Sequence, residues 1–236
     1  MSLAVQLILF FVAVAFGGLL VELIKKGSNI KLLLSFSGGF LLTIIFTHIL
    51  PESYEMNTNT GFFILVGFML QLVLEYFSKG AEHGHTHLHD HGLSHFPIAI
   101  FLSLCLHAFV EAVPLNQAHV HSDHLHSSLG LYWGVFVHKI PVAIALKTIL
   151  DASGLSRQKA WMYLLLFGLT APLGLFIGDW VMDVSQFSLT WLLAIAIGMF
   201  FHVSTTIIFE SSEGHKINLY KLLAILIGFG LGMLVG

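Results

Sequence analysis

The stretch that decides the fold runs from Phe96 to Asn116, FPIAIFLSLCLHAFVEAVPLN. Its length matches the roughly 20 apolar residues that span a bilayer core, yet it carries His107 and Glu111 one helical turn apart. Residues four apart on an α-helix differ by about 40° around the axis and about 6 Å along it, so both side chains leave from one face. A carboxylate near the midplane costs on the order of 2.5–3.5 kcal/mol on insertion scales, so it faces the inside of a bundle with partners around it. The rest of the chain must supply that bundle.

It has the composition to do so. Of 236 residues, 56% are hydrophobic and 10% charged, which describes an integral membrane protein. The one cysteine, Cys105, has no internal disulfide partner. Apolar stretches of membrane length recur eight times, at roughly 3–24, 30–50, 62–78, 96–116, 129–149, 160–180, 189–209 and 218–236. The whole chain, 1–236, reads as a single all-α transmembrane domain.

Eight spans place alternate connections on opposite sides of the membrane, and the basic residues respect that division. Lys25, Lys26 and Lys31 flank the first connection, and Lys79 opens the third. Lys147, Arg157 and Lys159 flank the fifth, and Lys216 and Lys221 flank the seventh. The second, fourth and sixth connections and both termini carry no Lys or Arg. Short loops rich in Lys and Arg stay cytoplasmic, so both termini are expected outside, in the cell membrane, or in the inner membrane of a Gram-negative bacterium. The first span has its positive charges after it rather than before it, unlike a cleaved signal peptide, and is expected to be retained.

Lys139 alone breaks the partition, because it lies inside the fifth span beside His138. With span four running outward and span five returning, His107 and His138 reach nearly the same depth, and Glu111 lies one turn to the outer side. A lone intramembrane histidine serves as hydrogen-bonded packing as readily as it serves a ligand. Two at one level with a carboxylate form the ligand set of a borderline divalent cation such as zinc, ferrous iron or manganese. Cys105 lies about 200° around the helix from His107 and reads as a small buried hydrophobe rather than a ligand. Pro114 and Pro141 each remove a backbone donor, leaving the carbonyls of Val110 and Val137 without their usual intrahelical partners.

Two loops are rich in histidine. The inner loop, 80–95, carries His83, His85, His87, His89, His91 and His95; the outer one, 117–128, carries His119, His121, His124 and His126 with Asp123. Such tracts favour metal binding by composition without the fixed spacing of a folded zinc site; the plain alternative is a polar linker. Candidate stations along a path are His48 and Glu52 at the outer end of span two, and His202 and Glu210 in the inner half of span seven. Asp179 and Asp183 add negative charge outside, and Gly228, Gly232 and Gly236 form a ridge for close helix packing on span eight.

At these residues the chain resembles the ZIP (Zrt/Irt-like) divalent metal transporters, along its whole length. HAFVEAV at 107–113 is similar to the family's His-Asn-x-x-(Asp/Glu)-Gly motif, and HKIPVAI at 138–144 to its His-x-x-Pro-Glu-Gly motif. FLLTIIFTHILPES at 40–53 resembles the second span, LTAPLGLFIG at 169–178 the sixth, and GMFFHVSTTIIFE at 198–210 the seventh. The resemblance implies a 3+2+3 arrangement of helices with an inverted repeat, alternating access, a dimer and inward metal movement.

It also implies two adjacent metals, and here this chain departs from the pattern. Ala108 stands for asparagine, Ala112 for glycine, Val142 for the span-five glutamate and Ala171 for the span-six glutamate. What survives by position is His107, Glu111 and His138, with an ammonium, Lys139, where a second cation would be expected. Lys139 reads as a built-in cation that pairs with Glu111 when no metal is present and weakens binding of a dication nearby.

The expected activity is transport of zinc first, then iron or manganese, with the metal as substrate rather than cofactor. The expected partners are metal ions, lipid and a second copy, with no nucleic acid. The alternatives are an intramembrane zinc hydrolase, for which spans four and five lack an HExxH helix, and a metal-binding or sensing protein that has lost transport.

Overall fold

The computed structural model describes residues 3–23, 28–56, 58–81, 96–115, 125–184, 190–210 and 218–235, and these are helical with short connections. The helices are α1 (Leu3–Leu23), α2 (Ser28–Ile44), α3 (Leu50–Met56), α4 (Thr60–Ser78), α5 (Ile98–Ala112), α6 (Leu125–Ala152), α7 (Arg157–Gly168), α8 (Thr170–Val184), α9 (Thr190–Glu210) and α10 (Leu219–Val235). They make up eight apolar rods, because α2 continues into α3 and α7 into α8. Seven rods are long and apolar enough to cross a membrane. The eighth, α10, has 17 residues, which is at the short end of the spanning range of about 17–25.

Prolines explain where the rods are interrupted. Pro51 lacks an amide proton, and its ring would press on the carbonyl of Thr47. The preceding residues, Ile45–Ile49, form a π-helical turn, with the Leu50 amide donating to the Ile45 carbonyl. The widened turn lets the second rod run on to Glu55, farther than the 30–50 expected from hydropathy. Pro172 acts similarly on the sixth rod. α7 stops at Gly168, the Leu169 amide turns back to the Leu166 carbonyl at 3.2 Å, and the Thr170 hydroxyl donates to the Phe167 carbonyl at 2.7 Å. Pro141, by contrast, sits within the unbroken α6.

The most extensive packing joins α2 to α10, α4 to α9, α1 to α6 and α5 to α8, and α2–α6 and α4–α5 contacts join these pairs. Small residues permit the close approaches. Gly228 and Gly232 are buried in α10, and a Cβ at Gly232 would sit 2.8 Å from the Thr43 side chain on α2. The expected ridge on span eight is therefore a packing surface; Gly236 lies outside the described residues. On the outer surface α1 exposes Ile8, Val12, Phe16 and Leu19, and α4 exposes Phe62, Leu65, Met69 and Val73. An apolar exterior around a core that contains charged groups suits a lipid surround.

Candidate metal centre

α5 and α6 each place one face of polar residues in the middle of the bundle. His107, Glu111 and His138 have no solvent exposure, and Lys139 has 1%. On α5 the four-residue spacing stacks His107 beneath Glu111, with Nε2 of the imidazole 2.7 Å from Oε1 of the carboxylate. Lys139 on α6 donates from Nζ to the other oxygen, Oε2, at 2.5 Å. The His138 ring lies across from that of His107, centroids 5.9 Å apart and planes at 76°. One ligand atom from each of His107, Glu111 and His138 falls within 4.8 Å of the others.

A third helix holds this cluster in place. Gln71 on α4, fully buried, has its side-chain oxygen 2.8 Å from Nδ1 of His107. An amide oxygen only accepts, so Nδ1 carries the proton in that contact, and Nε2 is the nitrogen turned to Glu111. Such an outer partner fixes the ring plane and tautomer of a metal-ligating histidine. One turn along, the Ser103 hydroxyl of α5 donates to the Leu74 carbonyl of α4 at 2.5 Å, which keeps the two helices in register at this level.

Zinc bonds of 2.0–2.2 Å in tetrahedral geometry set neighbouring ligand atoms about 3.3 Å apart. The His107–Glu111 contact is closer than that, at 2.7 Å, and the trio as a whole is looser. An arriving ion would open the first by roughly half an ångström and draw His138 inward. The ion would also meet an ammonium already seated on the carboxylate.

The positions at which this chain departs from the ZIP motifs are packed rather than polar. Ala108 and Val142 belong to one apolar cluster with Leu104, Leu146 and Phe167, and Ala112 and Ala171 belong to another with Leu175 and Phe200. Cys105 is only partly buried, packed against the first of these, and is not among the clustered ligand atoms. Its place one residue off the buried face explains why it is less enclosed than expected.

The other candidates lie apart from the cluster. His48 is in the π-helical turn, Nδ1 2.5 Å from the Thr47 hydroxyl. Glu52 is in the first turn of α3. His202 on α9 reaches Glu75 on α4, Nε2 to Oε2 at 3.3 Å. Glu210 ends α9, with its side chain outside the described residues. So are the side chains of Asp183 and His126, and so are His83, His85, His87, His89, His91, His95, His119, His121, Asp123 and His124 altogether.

Gln71 and Glu75 were not among the expected site residues. Their signal was present, an amide and an acid four residues apart in the apolar run FMLQLVLEYF. A second unforeseen network lies where α1, α6 and α7 meet. Lys147, 1% exposed, donates to both oxygens of Asp151 at 2.6 Å. Glu22 accepts from Arg157 at 2.9 and 2.6 Å and from the Trp161 indole at 2.6 Å.

Comparison with known proteins bears on what such a cluster is for. The family profile described as "Zip: ZIP Zinc transporter" matches residues 78–236, which takes in the clustered residues of α5 and α6 and leaves the first three rods outside. Among curated proteins, "Zinc transporter ZIP9" of Micropogonias undulatus is 25% identical over 118 residues, 50% of this chain and 38% of the relative. "Zinc transporter ZIP9-B" of Xenopus laevis is 25% identical over 119 residues, 50% of this chain and 39% of the relative. The matched part thus spans well under half the length of those relatives.

Proposed function

The chain belongs to the ZIP zinc transporter family, and from that premise we propose that it carries divalent transition-metal ions through a single midplane site of His107, Glu111 and His138. The observation that carries this reading is the convergence of two imidazoles and a carboxylate, fully buried, from two helices of an apolar bundle. Neutral imidazoles and one carboxylate suit zinc first, with ferrous iron and manganese behind it, and the names of the two relatives point the same way. Three protein ligands leave a position open for water or for the next ligand, as a site that must release its cargo requires.

In this reading both termini face outward, the helices follow the 3+2+3 inverted repeat, and the metal moves into the cytoplasm. The outer histidine loop gathers ions and the inner one buffers those that have entered. His48 and Glu52 attend the outer mouth and Glu210 the inner one. Two copies form the working unit. Membrane-embedded zinc hydrolysis has less support, since spans four and five lack an HExxH helix.

A second reading has its own support. Lys139 already occupies one oxygen of Glu111 at 2.5 Å, so the chain would hold or sense metal without moving it if that ion pair never opens. Radioactive zinc uptake into proteoliposomes decides between the two. Saturable uptake that is abolished by Glu111→Gln supports transport. Zinc binding that needs His107, Glu111 and His138, with no uptake, leaves the non-transporting reading standing.

A further inference from the structure

We propose that the groove between α1 and α7 holds one anionic phospholipid, with its phosphate on Arg157 and an acyl chain lying along α7 as far as Leu169. The site is separate from the metal cluster and does not depend on transport.

The two helices meet closely at two levels. A Cβ at Gly18 of α1 would press into the Leu164 side chain and stand 2.9 Å from the Trp161 ring, and one at Gly168 of α7 would stand 3.4 Å from the side chains of Phe11 and Val14. Beside this seam lies a hollow of about 990 Å³. Its apolar lining is Phe11 of α1 with Trp161, Met162, Leu165, Leu166 and Leu169 of α7, and Arg157 and Gln158 close one end. The α7 residues form one stripe at helical spacing. Met162, Leu166 and Leu169 are turned outward, and on the apolar exterior of a membrane bundle they face acyl chains. A convex helix surface lets lipid pass, whereas a concave one retains it. The depth fits as well: Arg157 and Leu169 are twelve residues apart, about 18 Å of helix, against about 15 Å for half of the hydrocarbon core. The groove is therefore one leaflet deep, polar at the surface end and apolar to the middle.

Charge at the polar end selects the headgroup. Arg157 spends Nε and one Nη2 proton on Glu22, and a guanidinium has five N–H groups. Its side chain is 76% exposed, so the remaining donors reach the level at which a phosphate lies. The nearby carboxylates are already answered: Glu22 also accepts from Trp161, and Asp151 pairs with Lys147. Lys159 adds a further positive charge to the same turn. Ser156 caps the Lys159 amide at 3.4 Å, whereas the amides of Arg157 and Gln158, in the first turn of α7, have no intrahelical acceptor and suit an anion. A choline headgroup would meet this excess of positive charge with its own, so the site prefers a lipid of net negative charge.

Native mass spectrometry of the full-length chain in detergent, with phosphatidylglycerol or phosphatidylcholine added, tests the site. The parent is expected to retain one phosphatidylglycerol more tightly than phosphatidylcholine. Arg157→Ala should weaken retention of phosphatidylglycerol about fivefold, the worth of one basic residue beside an anionic headgroup, and Arg157→Lys should weaken it less. Leu166→Trp fills the groove from its outward side, leaves the Glu22 contacts intact and should release both lipids; it decides the matter should Arg157→Ala not fold. Equal retention of the two lipids by the parent means ordinary surrounding lipid and overturns the proposal. So does phosphatidylglycerol retention that is unchanged in Leu166→Trp: if Arg157→Ala still loses it, the phosphate alone is held and the groove takes no chain.

Discussion

Replacing Lys139 by methionine removes the ammonium from Glu111 while nearly preserving side-chain volume, and the expected result is tighter zinc binding. Nζ lies 2.5 Å from Oε2 of Glu111. An ion bound to Oε1 at about 2 Å would therefore stand about 5 Å from that nitrogen. Repulsion between a dication and a unit charge at that distance is about 1.7 kcal/mol in water-like surroundings and about 7 kcal/mol at an effective dielectric near 20. Movement of the lysine away from the ion removes part of the larger figure, so the smaller one is a reasonable lower limit. It corresponds to a gain in affinity of at least about tenfold.

The substitution also leaves a buried carboxylate without its cation in the metal-free protein, which lowers the melting temperature. Zinc should then raise the melting temperature by more than it does in the parent. The assay is isothermal titration calorimetry in detergent, taking as the midplane component the heat lost in His107→Ala. Lys139→Arg, which keeps the charge, should not show the gain. Unchanged or weaker affinity in Lys139→Met, in a chain that still folds, would refute the view of this residue as a built-in competitor of the metal.

Four further outcomes are expected. Glu111→Gln or His138→Ala should reduce zinc flux into proteoliposomes at least a hundredfold while circular dichroism remains helical; flux within threefold of the parent would remove those residues from the path. Gln71→Leu should lower zinc affinity by about 10- to 100-fold, the usual effect of losing a histidine's outer partner, with a smaller loss in Gln71→Asn. Asp151→Ala leaves the buried Lys147 with Glu22 at 3.9 Å as its other carboxylate and should lower the melting temperature without altering zinc affinity. Gly17→Val should disrupt the α1–α6 contact, because a Cβ there would stand 2.7 Å from the Ile140 carbonyl oxygen and 2.8 Å from the Ala143 methyl. Its detergent extract should therefore aggregate on size-exclusion chromatography.

What could be read from the residues in advance was whatever one helix determines by itself. Hydropathy located all eight rods, and the expected bounds of the first, third and seventh differ from the observed ones by two residues or fewer. The four-residue spacing placed His107 and Glu111 on one face, and matched depth paired them with His138 and Lys139. Partners brought together by packing were not legible. Gln71 lies 36 residues from His107, and nothing within α4 says which neighbour its amide meets. Glu75 and His202 are farther apart still, and Glu22 meets Arg157 across 135 residues. The π-helical turn was hidden for a related reason. Pro51 signals a disturbance, but whether the backbone breaks, kinks or widens depends on what the surrounding helices tolerate.

The ion pair between Glu111 and Lys139 has an electrical consequence. At rest the carboxylate and the ammonium cancel, so the middle of the bundle is neutral and a transmembrane voltage exerts little force on it. When a dication settles beside them the same region carries two positive charges. Each elementary charge crossing the whole field is worth about 2.3 kcal/mol per 100 mV, so two charges crossing half of it gain about the same. Under the proposed transport reading, an inside-negative cell would pull on the occupied protein and exert little force on the vacant one.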